Sequence, residues 1–321
     1  MDALLGLDTS CYTTSAAAVD MQGKVIAFSR MLLPVESGQR GLRQSEAVFA
    51  HVRQIPEVVS KLMEQMPPEY SIVGVCASDA PRDEEGSYMP VFRVGSGYGQ
   101  SLAATLRVPF FTTSHQQGHI AAGRIGLGPM DDRFIALHIS GGTTEMVLWE
   151  KGSVKVVGGS LDLHAGQMVD RIGVELGLKF PAGPALEQLA EGWQKPTEAL
   201  FSASMEQEDC YCHLSGAETK ALRMIQAGTI AREQIAAEVY DLLARTVSRM
   251  LCAGAKKYGV KQALVVGGVA SSQRLRTLTR KRLDKMRGKP ELLFGQSMYS
   301  ADNAAGVACI GLEKYINTKS V

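Results

Sequence analysis

Three observations predict a duplicated α/β chain: one strand pattern that occurs twice, helices and parallel-type strands after each copy, and a glycine-rich break between the halves. In the first copy, residues 4–8 are apolar and end in Asp8-Thr9-Ser10. Residues 16–19 resume an apolar stretch, and Met21-Gln22-Gly23 turns the chain into residues 24–28. The second copy runs through residues 134–139, the turn Ser140-Gly141-Gly142-Thr143-Thr144, residues 146–149, the turn Glu150-Lys151-Gly152 and residues 154–157. Two three-strand meanders, each continued by helices and further strands, describe a duplicated ribonuclease H-like fold, the plan on which actin, hexokinase and Hsp70 are built.

The remaining elements follow in order. In the first half a helix is predicted over 46–65, a strand over 72–77, a helix over 99–106 and a short strand over 109–111. In the second half helices are predicted over 165–176, 184–191 and 230–258, and a buried strand over 262–266 that ends in Gly267-Gly268. The segment 126–132, Gly-Leu-Gly-Pro-Met-Asp-Asp, breaks every periodicity and marks the boundary. The first domain is therefore expected over 1–130, completed by a C-terminal helix over 301–321, and the second over 131–300.

Composition bounds the function. A chain of 321 residues exceeds what one core usually holds, and 45% apolar with 21% charged residues is a globular composition. No apolar run approaches the roughly 18 to 20 residues of a membrane span, and the N-terminus lacks a signal-peptide layout, so a cytoplasmic protein with no membrane partner is expected. Six cysteines spread along the chain read as reduced thiols. A net charge of +1 gives no global pull toward nucleic acid, so any such contact must come from a local patch.

Several motifs carry chemistry. His115 and His119, four residues apart after a predicted strand, project from one helix face and form either a metal pair or a partly buried polar face. A zinc protease would place a glutamate after the first histidine; Gln116 stands there and cannot take a proton from water. The turns Ser140 to Thr144 and Gly267-Gly268-Val269-Ala270-Ser271-Ser272 each follow an apolar strand, and their amides can approach phosphate oxygens closely. Either alone equally fits a tight turn without ligand; together they favour a nucleotide site. Gly95-Ser96-Gly97-Tyr98-Gly99 has the wrong spacing for a dinucleotide fingerprint. Cys210-Tyr211-Cys212-His213 has no second cluster to complete a zinc site and reads as a loop with free thiols. Arg274, Arg276, Arg280, Lys281, Arg282, Lys285, Arg287 and Lys289 crowd one short helix and its exit, either as a phosphate-contacting surface or as a solvated face. His138 and His164 read as packing or orienting residues.

In order along the chain, Gly6-Leu7-Asp8-Thr9-Ser10-Cys11, His115-x-x-x-His119, Ser140-Gly141-Gly142-Thr143-Thr144, Ala165-Gly166 with Asp170, Pro181-Ala182-Gly183-Pro184, Leu214-Ser215-Gly216, Gly267-Gly268-Val269 and Ala301-Asp302-Asn303-Ala304-Ala305 form a series. This series resembles the tRNA threonylcarbamoyladenosine transferase family, formerly the O-sialoglycoprotein endopeptidase or glycoprotease family. The resemblance implies an actin-like fold and one iron or zinc ion held by His115, His119 and Asp302. It also implies ATP or an adenylate, with or without magnesium, bound at the domain cleft by Ser140, Gly141, Gly142, Thr143, Asp170, Gly183, Gly267, Gly268 and Ser272. Asp8 and Ser10 become the candidate catalytic residues. The implied reaction moves a threonylcarbamoyl group from an adenylate to a tRNA adenosine. Implied partners are the adenine nucleotide, tRNA, and a second copy of the chain or a related actin-like protein.

The chain departs from the family pattern at several polar positions. Tyr12-Thr13 replaces an acidic pair, Thr143 a histidine, Gln167 a glutamate and Ser272 an asparagine, and the longer acidic segment Asp79 to Gly86 replaces a Gly-Pro-Gly loop. A divergent paralogue is expected, in which ordinary tRNA threonylcarbamoylation is slow or absent while the ligand sites persist. Two alternatives stand beside the transferase. One is a non-catalytic metal- and ATP-binding partner subunit; the other is an actin-like small-molecule kinase with Asp8 poised near the acceptor hydroxyl.

Overall fold

Every residue of the first strand after Asp2 is buried, which a strand achieves only when both sheet faces are covered. Side-chain alternation explains how: Leu5 and Leu7 join a core with Val58, Leu62 and Ala103, while Leu4 points the other way into a second core with Ala308, Leu312 and Tyr315. The computed structural model describes residues 1–10, 12–34, 42–205, 209–299 and 303–319. The chain divides into two compact units, one of Met1–Gly128 with Gly152–Val154 and Met298–Val321, the other of Pro129–Lys151 and Lys155–Ser297.

The first unit contains β1 (Asp2–Thr9), β2 (Thr13–Asp20), β3 (Val25–Leu32), α1 (Gln44–Gln65), β4 (Ser71–Ala80), α2 (Pro90–Leu106), β5 (Phe110–Ser114) and α3 (His115–Arg124). Its sheet order is β3-β2-β1-β4-β5, with β1, β2 and β3 antiparallel and β4 and β5 parallel to β1. The second unit contains β6 (Arg133–Ile139), β7 (Thr144–Glu150), β8 (Ser153–Ser160), α4 (Ala165–Glu175), α5 (Gly183–Glu191), β9 (Tyr211–Cys212), α6 (Ser215–Ala227), α7 (Arg232–Tyr258), β10 (Gln262–Val266), α8 (Gln273–Leu283) and β11 (Glu291–Phe294). Its sheet order is β11-β10-β6-β7-β8-β9, with β6 parallel to β10 and antiparallel to β7. Apart from β9, the two sheets share one strand order, and β6, β7, β10 and β11 repeat the relative directions of β1, β2, β4 and β5, so the duplicated ribonuclease H-like fold is present.

The C-terminal helix α9 (Ala304–Lys319) packs in the first unit. It approaches unusually closely: a Cβ on Gly306 would lie 1.9 Å from the Gly118 carbonyl oxygen of α3, and one on Gly6 would lie 2.2 Å from the Ala304 carbonyl oxygen. Only glycine permits those backbone contacts.

Two elements differ from the sequence reading. Helix α2 starts at Pro90 rather than near residue 99, with Pro90 in the first helical turn. The dense glycines of 95–99 look like breakers, yet Gly95 and Gly99 face β-strand side chains, where a Cβ would lie 2.7 Å from Thr9 Oγ1 and 2.9 Å from Phe110 Cε2. Close packing, not a turn, uses those glycines. Cys210 to His213 is not a loop but includes β9, which turns Cys210 and Cys212 into the core while His213 Nδ1 lies 3.5 Å from Asp162 Oδ2. Burial pushes the Cys212 thiol up to about 11, so it is an inert core thiol.

Candidate functional site

In the first unit, β1 and β4 deliver Asp8 and Ser78 to one end of the sheet, and β5 runs directly into α3, whose first residue is His115. Asp8 is 2% exposed, and its carboxylate accepts from Ser78 Oγ through a short hydrogen bond. It also faces His115 Nδ1, at 3.0 Å from Oδ1 and 3.1 Å from Oδ2. A carboxylate beside an imidazole nitrogen holds the proton on that nitrogen and leaves the lone pair on Nε2. The rings of His115 and His119 meet edge to face with centroids 4.7 Å apart, and Phe92 lies against His115 at 5.2 Å.

Asn303, which immediately precedes α9, is 3% exposed, and its Nδ2 lies 3.1 Å from His115 Nε2 and 2.6 Å from Nδ1. Since Nδ1 gives its proton to Asp8, the amide can donate only to Nε2. Among the described residues Asn303 Oδ1 is buried without a hydrogen-bond partner, an acceptor left over beside the His115 imidazole. Asp302, the third implied ligand, lies outside the described residues. Among the described residues no group of three His, Cys, Asp or Glu side chains could hold a metal. Two imidazoles a helical turn apart are donors of the kind that zinc or ferrous iron takes.

His51, absent from the sequence reading, completes this end of the unit. It is fully buried on α1, its Nε2–H donates to the Ser10 carbonyl at 2.7 Å, and Thr14 Oγ1 lies 2.7 Å from its Nδ1. Burial lowers its pKa from the ordinary 6.5, against the raising effect of the Ser10 carbonyl and of Asp8. Ser10 is thus tied into the β1–β2 turn, its Oγ donating to the Thr13 carbonyl at 3.4 Å. The signal for His51 was its place in the apolar stripe Ala47, His51, Ile55, Val58 and Leu62 of α1, which looks like plain core spacing.

The acidic segment that replaces the expected loop after β4 is anchored through Asp83, which accepts from Gln117 Nε2 at 3.2 Å.

The second unit brings together most of the implied nucleotide residues around a cavity of about 490 Å³ lined by Gly141, Asp170, Gly183, Tyr240, Gly268 and Ser272, among others. That volume is in the range of small-molecule sites. Gly141, Gly142 and Gly268 face open space where a side chain would stand, so their backbones are accessible. Gly166 lets the start of α4 press against the first turn, and Thr144 Oγ1 accepts from Ala165 N at 2.8 Å. Asp170 Oδ1 accepts from Ala182 N at 2.8 Å, fixing the segment before α5. Tyr240, on α7, donates to the Gly183 carbonyl at 2.9 Å, and burial raises its pKa well above the ordinary 10.0.

Not every residue of the implied set lines this cavity, and Gly142, though exposed in the same turn as Gly141, is among those that do not. Ser140 and Thr143 spend their backbones on closing the turn, Ser140 N donating to the Thr143 carbonyl at 2.8 Å, and neither lines the cavity. Gly267 has φ of +102° and packs against the Ile139 carbonyl, which makes it a turn residue behind the site. Ser272 does line the cavity, but its hydroxyl caps α8 by accepting from Leu275 N at 3.1 Å. Glu187 was missed in the sequence; it lines the cavity and accepts from Arg274 N at 2.7 Å.

Comparison with known proteins gives these two arrangements a family. A family model described as tRNA N6-adenosine threonylcarbamoyltransferase matches residues 35–309. A protein of that name from Prochlorococcus marinus (strain MIT 9313) is 30% identical, with 99% of this chain and 92% of the relative covered. Another from Geobacillus thermodenitrificans is 31% identical, with 97% and 91% covered. A probable bifunctional tRNA threonylcarbamoyladenosine biosynthesis protein of Methanothermobacter thermautotrophicus is 29% identical, this chain spanning 55% of its length. Among solved structures, T. kodakarensis HypF matches with a TM-score of 0.62 at 13% identity over 98% of this chain and 48% of that one. Component A of the Acidaminococcus fermentans (R)-2-hydroxyglutaryl-CoA dehydratase matches with a TM-score of 0.56 at 18% identity over 98% and 100%. These last two show the fold alone. With 275 consecutive positions under the family model and relatives matched nearly end to end, the chain belongs to the tRNA N6-adenosine threonylcarbamoyltransferase family.

Proposed function

We propose that this protein transfers a threonylcarbamoyl group from its adenylate to an adenosine amino group of tRNA. The observation that carries the reading is the His115–His119 pair, oriented by Asp8 in a chain of this family. In the reaction the adenosine N6 attacks the carbamoyl carbonyl carbon, a C–N bond forms, the C–O bond to the phosphate breaks, and AMP leaves. The N6 proton passes to water or to the departing phosphate.

The chain's residues supply positioning. The open amides of Gly141, Gly142 and Gly268 would hold the phosphate, with Asp170 Oδ2 accepting from a ribose hydroxyl. His115 and His119, with Asp302, would hold one iron or zinc ion. Such an ion, when bound, polarises a carbonyl as a Lewis acid. Asp8 keeps His115 in the tautomer that ligation needs.

Asp8 spends its carboxylate on Ser78 and His115, which counts against the kinase alternative, since that mechanism needs an aspartate free to take a hydroxyl proton. The partner-subunit alternative has one observation in its favour: Thr13, Thr143, Gln167 and Ser272 are neutral where the family resemblance implied titratable or amide groups. A labelled adenylate binding to the protein, followed by labelled threonine appearing on unmodified tRNA, tests the reading. Binding of ligand with no transfer would favour the partner subunit. A second copy of the chain or a related actin-like protein remains part of this proposal as the assembly partner.

A further inference from the structure

The basic run singled out in the sequence is not a uniform solvated face. Arg282 of α8 and Arg245 of α7 both turn inward onto Asp241, a carboxylate with its side chain 3% exposed. Arg245 Nη1 lies 2.6 Å from Asp241 Oδ2, its Nη2 donates to the Phe201 carbonyl at 2.7 Å, and Arg282 Nη2 takes Asp241 Oδ1. One carboxylate thus pins two guanidiniums and leaves the trio with a net positive charge. Arg282 Nε is buried with no partner among the described residues. Around this trio opens a groove of about 690 Å³ between α7 and α8, where Arg249, Lys281 and Lys285 are exposed.

Those three cations make no side-chain hydrogen bond or ion pair among the described residues. Along α7, Arg245 and Arg249 stand one turn apart; Lys281 and Lys285 repeat the interval along α8 and its exit, about 6 Å by helical rise. The groove continues into a second cavity of about 520 Å³ that shares Arg249 and Met286 and adds Arg287. Among the described residues neither cavity is lined by an aromatic side chain, and neither shares a lining residue with the glycine-turn cavity. Since the whole chain carries only +1, this is a local concentration of charge.

We propose that the α7–α8 groove is a docking surface for the phosphate backbone of the RNA substrate. Two rows of cations, spaced one helical turn along each helix and without aromatic platforms among the described residues, suit backbone positioning and not base readout. The proposal rests on the reading above that the acceptor is an RNA.

The test is binding of unmodified tRNA to the full chain over a range of salt concentrations, for the wild type and for the triple variant Arg249→Glu, Lys281→Glu, Lys285→Glu. The variant should bind at least tenfold more weakly, and its slope of log affinity against log salt should be shallower by about 2 to 3. ATP should stabilise both proteins equally, showing an intact fold and adenylate cavity. Equal tRNA affinity and slope in both would overturn the groove while leaving the transferase reading in place. Groove-dependent binding of RNA without any transfer would support the groove and count against that reading. Displacement of tRNA by polyglutamate at equal charge concentration would overturn the RNA assignment in favour of an acidic protein, and a wild type that binds no RNA would overturn both.

Discussion

Asp8 accepts from Ser78 and faces His115, and the proposed metal site depends on it through His115. A carboxylate behind a ligating histidine fixes the ring and raises its basicity, and losing such a partner typically costs about 10- to 100-fold in metal affinity. Asp8→Asn should therefore retain the fold but release metal to a competing chelator about 10- to 100-fold more readily, as measured by metal content after dialysis. His51 gives a separate pH signature. Its pKa is held below 6.5 in the folded chain, so the neutral form is the folded form. The stability it contributes is complete above about pH 6.5 and is lost as pH falls toward the folded value. Thermal unfolding between pH 8 and pH 5 should show this loss, and His51→Gln should flatten it. The histidine pair and both glycine turns were legible because each is local in sequence. Asp8 against His115 and Asn303 against His115 bridge 107 and 188 positions, a proximity that no spacing rule carries.

At the level of elements, backbone contact between glycines decides whether the proposed metal site can assemble. Helices α3 and α9 bring His115 and Asn303 to one place, and they can approach so closely because Gly306 lies against the Gly118 carbonyl. Gly306→Ala would force a Cβ into the Gly118 carbonyl, so it should lower the melting temperature and strip metal together, with the cost in the overpacking range of about 1–3 kcal/mol. A different element test concerns α6. Asp162 accepts from Ser215 Oγ at 2.6 Å, Leu214 N at 2.8 Å and Ser215 N at 3.3 Å at its N-terminus. Burial would raise its pKa, but these hydrogen bonds and one from Leu163 N outweigh it and bring it down to about 2. The stability from Asp162 is present above its ordinary 3.8 and is lost as pH falls toward about 2. Asp162→Ala should cost about 0.5–2 kcal/mol at neutral pH, read by denaturant unfolding. Neither the start of α2 nor α6 was read from sequence. Glycines at 95–99 mimic a break until the strands they pack on are known, and Asp162 lies more than fifty residues from the helix start it caps.

At the scale of the molecule, the repeated strand order shows in the sequence because each copy opens with the same meander, whose turns are local. In the proposed function, what each unit does is set by residues at the strand ends: Asp8, Ser78 and His115 in one, and the two glycine turns with Asp170 and Gly183 in the other. No helix among the described residues is long and apolar enough to cross a membrane. The central claim is that the retained ligand sites suffice for group transfer after the neutral replacements at Thr13, Thr143, Gln167 and Ser272. Proton transfer by a positioned side chain is typically worth about 10²–10⁴-fold. The decisive measurement is transfer of labelled threonine from threonylcarbamoyl adenylate to unmodified tRNA under single-turnover conditions, beside a typical family member. The account predicts transfer slower than that control by about 10²–10⁴-fold, abolished in His115→Ala, His119→Ala. No transfer above background by a protein that still holds metal and adenylate would contradict it.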